Sequence, residues 1–262
     1  MRVFITFALA LTAFFLSPAA AFNAYSAQLS PHDIAKKSDD ALNRARDVKS
    51  EMSMQIFDRN QSKRERRIIS YAKRYPNGDK KTLLIFDYPA DVKGSAFLVW
   101  DPKDKDDQQW LYLPALEKIR QIAPGDKGGS FMGTDFSYYD MGGMDVDDFS
   151  YRFLKEEPVD GSPCYVLETN PIKTIPYGKI TIWIRKDNYL PVRSDIYDRN
   201  GELIKQCLSG AIVVINSIPT PTHIVMKQVK ESKYTVMDLT NIIYDSGLSD
   251  SIFTQRYMQR GK

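Results

Sequence analysis

Between residues 49 and 244 the sequence repeats one pattern, in which short stretches with an apolar residue at every second position are separated by turn residues. Met52, Met54 and Ile56 alternate with polar neighbours, which is typical of a strand with one buried face. The connections are short, as at Asn77-Gly78, whereas parallel strands would need crossovers of a dozen or more residues. The pattern therefore predicts a meandering antiparallel sheet or a barrel rather than βαβ units.

The strand pattern covers most of the chain, and helix signals are confined to its two ends. The predicted strands are residues 49–56, 64–75, 80–88, 95–100, 109–113, 117–122, 149–156, 164–169, 179–185, 192–198, 203–208, 211–216, 223–230 and 234–244. Ser30 followed by Pro31 marks a helix start, and the helical spacing continues to about Arg46. The stretch from Ser249 to Met258 predicts a short closing helix, so the fold class is mainly β with α+β character.

The N-terminus has the pattern of an export signal. Arg2 precedes an almost entirely apolar stretch at residues 3–16, and the small residues Ala19-Ala20-Ala21 follow, as a signal peptidase requires. The apolar stretch is too short to span a bilayer, which takes about 20 residues. We expect residues 1–21 to be a cleaved signal peptide, residues 22–262 to form a single domain, and the mature protein to reside in a bacterial periplasm.

Residues suited to catalysis or to metal binding are scarce. The two histidines, His32 and His223, are far apart in sequence, and neither Cys164 nor Cys207 has a histidine nearby. Nucleophile-elbow and phosphate-loop motifs are absent from the sequence. We therefore expect no enzyme activity, no catalytic residues, no metal site and no cofactor. A disulfide is not favoured, because two predicted strands separate the cysteines and a bridge needs Cα atoms within about 7 Å.

Charge is distributed without a nucleic-acid signature. The formal net charge is only +3, so no nucleic-acid partner is expected. Two acidic runs lack the spacing of a calcium loop and are interpreted as solvated loops: Asp101, Asp104, Asp106 and Asp107, and Asp140, Asp145, Asp147 and Asp148. The stretch from Arg59 to Lys81 holds nine basic residues. It is either a solvated strand or a surface for anionic lipid or an acidic partner.

Two of the predicted strands are apolar at consecutive positions, at residues 83–86 and 97–100. Such strands need cover on both faces, which a sheet curved around a cavity would provide. An ordinary core explains the same residues equally well. On the cavity interpretation, we expect a greasy ligand to contact Met52, Met54, Ile56, Leu84, Phe86, Leu98 and Trp100.

The stretch from Ala123 to Gly143 interrupts the strand pattern. It contains six glycines, which allow backbone bending. Its apolar residues, Phe131, Met132, Phe136, Tyr138 and Met141, could cover the opening of a cavity. We interpret it as a lid, anchored by Asp135 and Asp140 as acceptors of backbone N–H groups, and a packed loop that plugs the core is the alternative.

Three sequence blocks carry a resemblance to a known family. They are DYPADVKGSAFLVW at residues 87–100, WLYLPA at residues 110–115 and FMGTDFSYYDM at residues 131–141. In this order they resemble the outer-membrane lipoprotein-sorting protein family, which is similar to the periplasmic lipoprotein carrier LolA. The resemblance implies a strongly curved antiparallel sheet that forms an incomplete barrel, with helices plugging its concave side and a hydrophobic cavity between them.

The resemblance also implies a function. The expected protein is a soluble periplasmic carrier that binds the acyl chains of lipoproteins or other lipids and transfers them towards the outer membrane. Its partners would be the lipid itself and either an inner-membrane transporter of the RND type or an outer-membrane acceptor. The alternative on the same fold is an envelope sensor or a protein-interaction module.

Overall fold

In the computed structural model, which describes residues 29–260, every strand joins one antiparallel sheet. The strands are β1 (Asp47–Phe57), β2 (Lys63–Arg74), β3 (Lys80–Tyr88), β4 (Ala96–Asp101), β5 (Gln108–Leu113), β6 (Lys118–Gln121), β7 (Phe149–Glu156), β8 (Cys164–Pro171), β9 (Lys179–Arg185), β10 (Pro191–Tyr197), β11 (Leu203–Ile215), β12 (Ile218–Gln228) and β13 (Lys233–Tyr244). The helices are α1 (Pro31–Leu42), α2 (Tyr138–Gly142) and α3 (Gln255–Met258), and single 3-10 turns lie at Pro114–Leu116, Pro124–Asp126, Val146–Asp148 and Asp250–Ile252.

The strand order places the first and last strands side by side in the middle of the sheet. It runs β6-β5-β4-β3-β2-β1-β13-β12-β11-β10-β9-β8-β7, so β1 pairs with both β2 and β13. The two edge strands, β6 and β7, are consecutive in the sequence. Residues 122–148, which connect them, must therefore cross from one edge of the sheet to the other.

The contacts of this connection require a strongly curved sheet. The Gln109 side chain on β5 donates to the carbonyl of Tyr138 at 3.3 Å, and the Lys205 side chain on β11 donates to Asp140 at 3.2 Å. Tyr138 and Asp140 are only two residues apart, whereas β5 and β11 are seven strand positions apart, about 34 Å in a flat sheet. The sheet therefore curls around the connection as an unclosed barrel, and the face that carries Gln109 and Lys205 is the concave one.

The two faces of the sheet have separate cores. The concave core includes Met54, Leu84 and Phe97 together with residues of the connection, and α1 packs on the same face through Ile34 and Ala35. The convex core joins Leu83, Ile85 and Leu98 to Phe253 and Met258 of the C-terminal segment. The expectation that the helices plug the concave side is therefore not met by α3, which lies on the convex face.

Several predicted elements are confirmed and others differ at their ends. Ser30 caps α1 with a capping box, although the helix ends at Leu42. The stretches 203–208 and 211–216 form one strand, because Ser209 and Gly210 stay paired with β12. The closing helix is divided into a 3-10 turn and α3.

The predicted signal peptide lies outside the described residues. Among residues 29–260 no helix has the length and apolar character to cross a bilayer.

Cys164 and Cys207 are both free thiols. Cys164 lies on β8 and Cys207 on β11, and two strands, β9 and β10, separate them in the sheet.

Asp47 joins the start of β1 to the chain that follows β13. Its carboxylate is buried and accepts hydrogen bonds from the backbone N–H groups of Ser246, Gly247 and Leu248 and from the Ser246 hydroxyl. Burial opposes ionisation of Asp47, but these hydrogen bonds outweigh it and hold its pKa below the usual value. The carboxylate thus fixes the point from which the C-terminal segment leaves for the convex face.

We expect Asp47→Asn to lower the free energy of unfolding at pH 7 by about 2–3 kcal/mol, because hydrogen bonds to an ionised group are lost. A carboxyl whose pKa is depressed by folding contributes fully above its unfolded pKa, about 3.9, and loses that contribution as the pH falls through the folded pKa. Denaturant unfolding should therefore show the gap between wild type and variant narrowing progressively as the pH falls below the unfolded pKa. The exposed Asp40→Asn serves as the matched control, and a gap that persists in acid would contradict the assignment.

Candidate functional site

The candidate site is the part of the connection that lies over the concave face, residues 129–143, called here the crossing segment. Its position follows from topology, since the chain must pass over this face to reach β7. Gly133 and Gly143 both have a positive φ, of 77° and 90°, where glycine avoids steric strain. Gly133 turns the backbone just after the buried Phe131, and Gly143 ends α2.

Aromatic packing holds the first half of the crossing segment. The Phe131 side chain is fully buried, and its ring centroid lies 5.7 Å from that of Phe86 and 5.2 Å from that of Phe97. Tyr138 packs against both Phe97 and Phe131 with centroids at 5.6 Å. Such tilted and edge-to-face pairs are favourable beyond their burial alone, so this half resembles an ordinary core.

Asp135 forms the first polar anchor. Its backbone N–H donates to the Thr235 hydroxyl at 3.0 Å, and that hydroxyl donates to the Asp135 carboxylate at 2.7 Å. Thr235 is fully buried on β13, and the Gln228 side chain donates to the Asp135 carbonyl. Burial raises the pKa of the Asp135 carboxyl, although the bond from Thr235 opposes the shift.

Asp140 forms the second polar anchor, at the start of α2. Its carboxylate accepts from the Ser137 backbone N–H at 2.7 Å, completing a capping box, from the Tyr177 hydroxyl at 2.7 Å and from Lys205 Nζ at 3.2 Å. Lys205 Nζ also donates to the Tyr177 hydroxyl at 3.1 Å. Burial, reinforced by the Asp140 charge, raises the pKa of Tyr177 well above its usual range, so this hydroxyl stays protonated and donates.

The structure separates the predicted cavity residues into two groups. Five lie on the concave face: Met52, Met54, Ile56, Leu84 and Phe86. Leu98 and Trp100 lie on the convex face, where Trp100 Nε1 donates to the Phe253 carbonyl at 2.9 Å. The reason is register: Leu98 pairs with Leu83 rather than with Leu84, and successive side chains of a strand point to opposite faces.

The predicted lid residues all belong to the concave core. Phe131 and Phe136 are buried, and the remaining three, Met132, Tyr138 and Met141, are partly buried against the same core. Asp140 accepts from the Ser137 backbone N–H as expected, whereas the partners of Asp135 and Asp140 on the sheet are the side chains of Thr235 and Lys205.

Sequence reasoning missed Lys205, Tyr177 and Thr235. Lys205 and Cys207 both lie on the concave face of β11. A lysine at a strand position that faces the apolar side is a sequence signal for a buried charge. Thr235 carried no comparable signal.

An open cavity of about 680 Å³ lies beside the second half of the crossing segment. Its lining includes Tyr139 and aspartates of both acidic runs, which the structure brings together: Asp101, Asp106, Asp107, Asp145 and Asp148. Five basic residues line it as well: Lys103, Lys105, Lys127, Lys173 and Arg199. Burial raises the pKa of Asp101 to about 6, with nearby carboxylates adding to the shift and Lys80 opposing it.

None of the seven predicted cavity residues lines this polar cavity. Within the described part of the chain, no group of three or more His, Cys, Asp or Glu residues is arranged to hold a metal ion. The concave face and its crossing segment therefore remain the site at which an apolar ligand could be covered.

Comparisons with known proteins agree with this fold. A family described as an uncharacterized protein matches residues 78–260. A DUF1329 family protein from Desulfovibrio piger is 35% identical with a TM-score of 0.84, covering 87% of this chain and 97% of its own. A domain from Vibrio parahaemolyticus, provisionally described as an outer membrane lipoprotein-sorting protein, is 27% identical with a TM-score of 0.84, covering 88% of this chain and 98% of its own.

A LolA superfamily protein from Nitrosomonas europaea has the same fold, with a TM-score of 0.72 at 20% identity, covering 88% of this chain and 100% of its own. A search of curated proteins found no match. These similarities confirm the resemblance drawn from the three sequence blocks.

We expect the Asp140 and Lys205 pair to be strongly coupled, because both side chains are largely buried. Asp140→Asn and Lys205→Met should each lower the free energy of unfolding by about 3–5 kcal/mol, since each leaves a buried charge without its partner. The double variant should lose clearly less than the sum, as measured by a double-mutant cycle in denaturant.

The matched control for this cycle is the exposed pair of Arg120 and Asp126, whose atoms are 3.0 Å apart. Its coupling should be below about 1 kcal/mol. Additive losses at Asp140 and Lys205 would show that the pair does not hold the crossing segment.

Proposed function

Because this chain belongs to the DUF1329 family and has the fold of LolA superfamily proteins, we propose that it is a periplasmic carrier that binds the acyl chains of lipoproteins or other lipids on its concave face. The crossing segment acts as the lid of this site. Cargo is received from, or delivered to, an inner-membrane transporter or an outer-membrane acceptor. The relative from Vibrio parahaemolyticus, described as a lipoprotein-sorting domain, supports the choice of cargo class.

The observation that carries the proposal is how the concave face is covered. One segment contributes the aromatic side chains that pack on Phe86 and Phe97, and two polar anchors tie it to β13 and β11. A segment held in this way can lift as a unit when both anchors break. The apolar contacts that it loses are then replaced by contacts between the same face and an acyl chain.

Replacement of protein contacts by contacts with the cargo also limits how tightly an acyl chain is bound. Burial of an acyl chain contributes about 0.8 kcal/mol for each CH₂, so a long chain enclosed in an empty cavity would be held too tightly for quick release. When the cargo displaces Phe131 and Phe136 from the concave core, the lost protein contacts offset much of that gain. The crossing segment thereby weakens binding to a level that permits transfer.

Native mass spectrometry of the protein isolated from its own periplasm tests the proposed function. We expect additional masses that correspond to bound lipid and that disappear after extraction with organic solvent. Recovery of the protein with a stable protein partner and without lipid would overturn the carrier and favour an interaction module on the same fold.

The lid is tested by Phe136→Ala. Phe136 is 5% exposed within the concave core. A lid residue should affect binding more than folding, so we expect at least a tenfold change in the affinity or release rate of a fluorescent fatty acid. The accompanying loss of stability should be smaller than the ~3–5 kcal/mol of a deleted core phenylalanine.

Phe253→Ala, at a fully buried position of the convex core, is the matched control. It should lower the melting temperature while leaving binding per folded molecule unchanged. If Phe136→Ala behaves in the same way as this control, the crossing segment is a structural plug rather than a lid.

A further inference from the structure

Arg66 places a positive charge inside the concave face. It lies on β2, pairs across with Met54 on β1, and is two residues from Ile68 on the same face. Met54 and Ile68 belong to the concave core. Only 8% of Arg66 is exposed, although arginine is among the residues that are almost never fully buried unless they are paired.

Among residues 29–260, the neighbours of Arg66 satisfy its guanidinium poorly. Its Nη1 donates to the neighbouring Glu65 carbonyl at 3.1 Å, and its Nε is buried without a hydrogen-bond partner. Among residues 29–260 no carboxylate forms an ion pair with it, whereas the less buried Arg193 is paired with Asp195. A buried charge without a partner is unfavourable, so this position stabilises the protein poorly and suits an anion supplied from outside.

The crossing segment passes over this part of the strand. Arg64, the next residue of β2 on the concave face, donates from Nη2 to the Gly133 carbonyl at 3.3 Å, and Phe131 packs on Phe86, the partner of Ile68. Arg66 lies between these two contacts. Lifting of the segment would therefore release Arg64, which is already exposed, from the Gly133 carbonyl and uncover Arg66 beside the apolar side chains of Met54 and Ile56.

We infer that Arg66, assisted by Arg64, binds the acidic headgroup of an amphiphilic ligand whose hydrocarbon chain lies along the concave face. This inference rests on the proposed function and adds the chemical class of the cargo to it. The headgroup is a carboxylate or a phosphate, because a guanidinium presents its N–H donors in a planar fork that matches both. The unpartnered Nε supplies one of those donors.

The test compares cis-parinaric acid with its methyl ester by fluorescence titration at pH 8. We expect the wild-type protein to bind the acid at least tenfold more tightly, as the loss of a hydrogen bond to a charged group predicts. Arg66→Gln should abolish the preference while still binding the ester, which also shows that the variant folds, and Arg66→Lys should restore part of the preference.

The matched control is Arg67→Gln, which removes the same charge from the adjacent, exposed position, where the guanidinium lies over the Tyr88 ring. It should keep the preference for the acid. Displacement of bound cis-parinaric acid by lysophosphatidic acid, with monoacylglycerol as the neutral reference, shows whether the site prefers a phosphate to a carboxylate. Equal affinity for the acid and the ester, or an equal effect of Arg67→Gln, would overturn this inference and leave the carrier intact, whereas binding of neither probe would overturn both.

Discussion

The pairing of β1 with β13 is the constraint on which the rest of the structure depends. It places the first and the last strand of the chain side by side in the middle of the sheet. As a result, the two edge strands, β6 and β7, are consecutive in the sequence. Their connection cannot run along an edge, so it must cross a face. Because Tyr138 and Asp140 contact strands that are seven positions apart, the sheet has to curl around that connection. Curvature, concave site and covering segment thus have a common origin.

The forces that hold the crossing segment differ along its length. Phe131 relies on aromatic packing, which an acyl chain can replace without loss of apolar contact. Asp135 and Asp140 rely on buried hydrogen bonds with Thr235 and Lys205, which an acyl chain cannot replace. In the proposed carrier, the apolar contacts would determine how well cargo competes, and the polar anchors would determine how often the segment lifts. A face covered only by apolar groups would lack this second control.

The sequence predicted the strands well because their periodicity is local, and it predicted the interruption of the strand pattern at residues 123–143 because the glycine-rich composition is local too. Prediction from the sequence failed where pairing between strands distant in sequence determines which face a side chain occupies. Leu98 and Trp100 were assigned to the cavity, yet the register of β4 against β3 turns them to the convex face. The pairing of Ser209 and Gly210 with β12 likewise overrides their weak strand propensity. Lys205 and Thr235 reach the anchors only because strands distant in sequence curl around one segment.

Charged residues buried on an apolar concave face destabilise the fold unless they are paired or bind a ligand. Lys205 is matched by Asp140 when the crossing segment is closed, so lifting the segment leaves its ammonium group without a partner. The buried Nε of Arg66 has no hydrogen-bond partner within residues 29–260 even in this closed state. An open concave face would therefore present basic groups beside apolar side chains, a combination that a purely hydrocarbon ligand cannot satisfy. In the proposed carrier, this arrangement would favour amphiphilic cargo and would oppose opening in its absence.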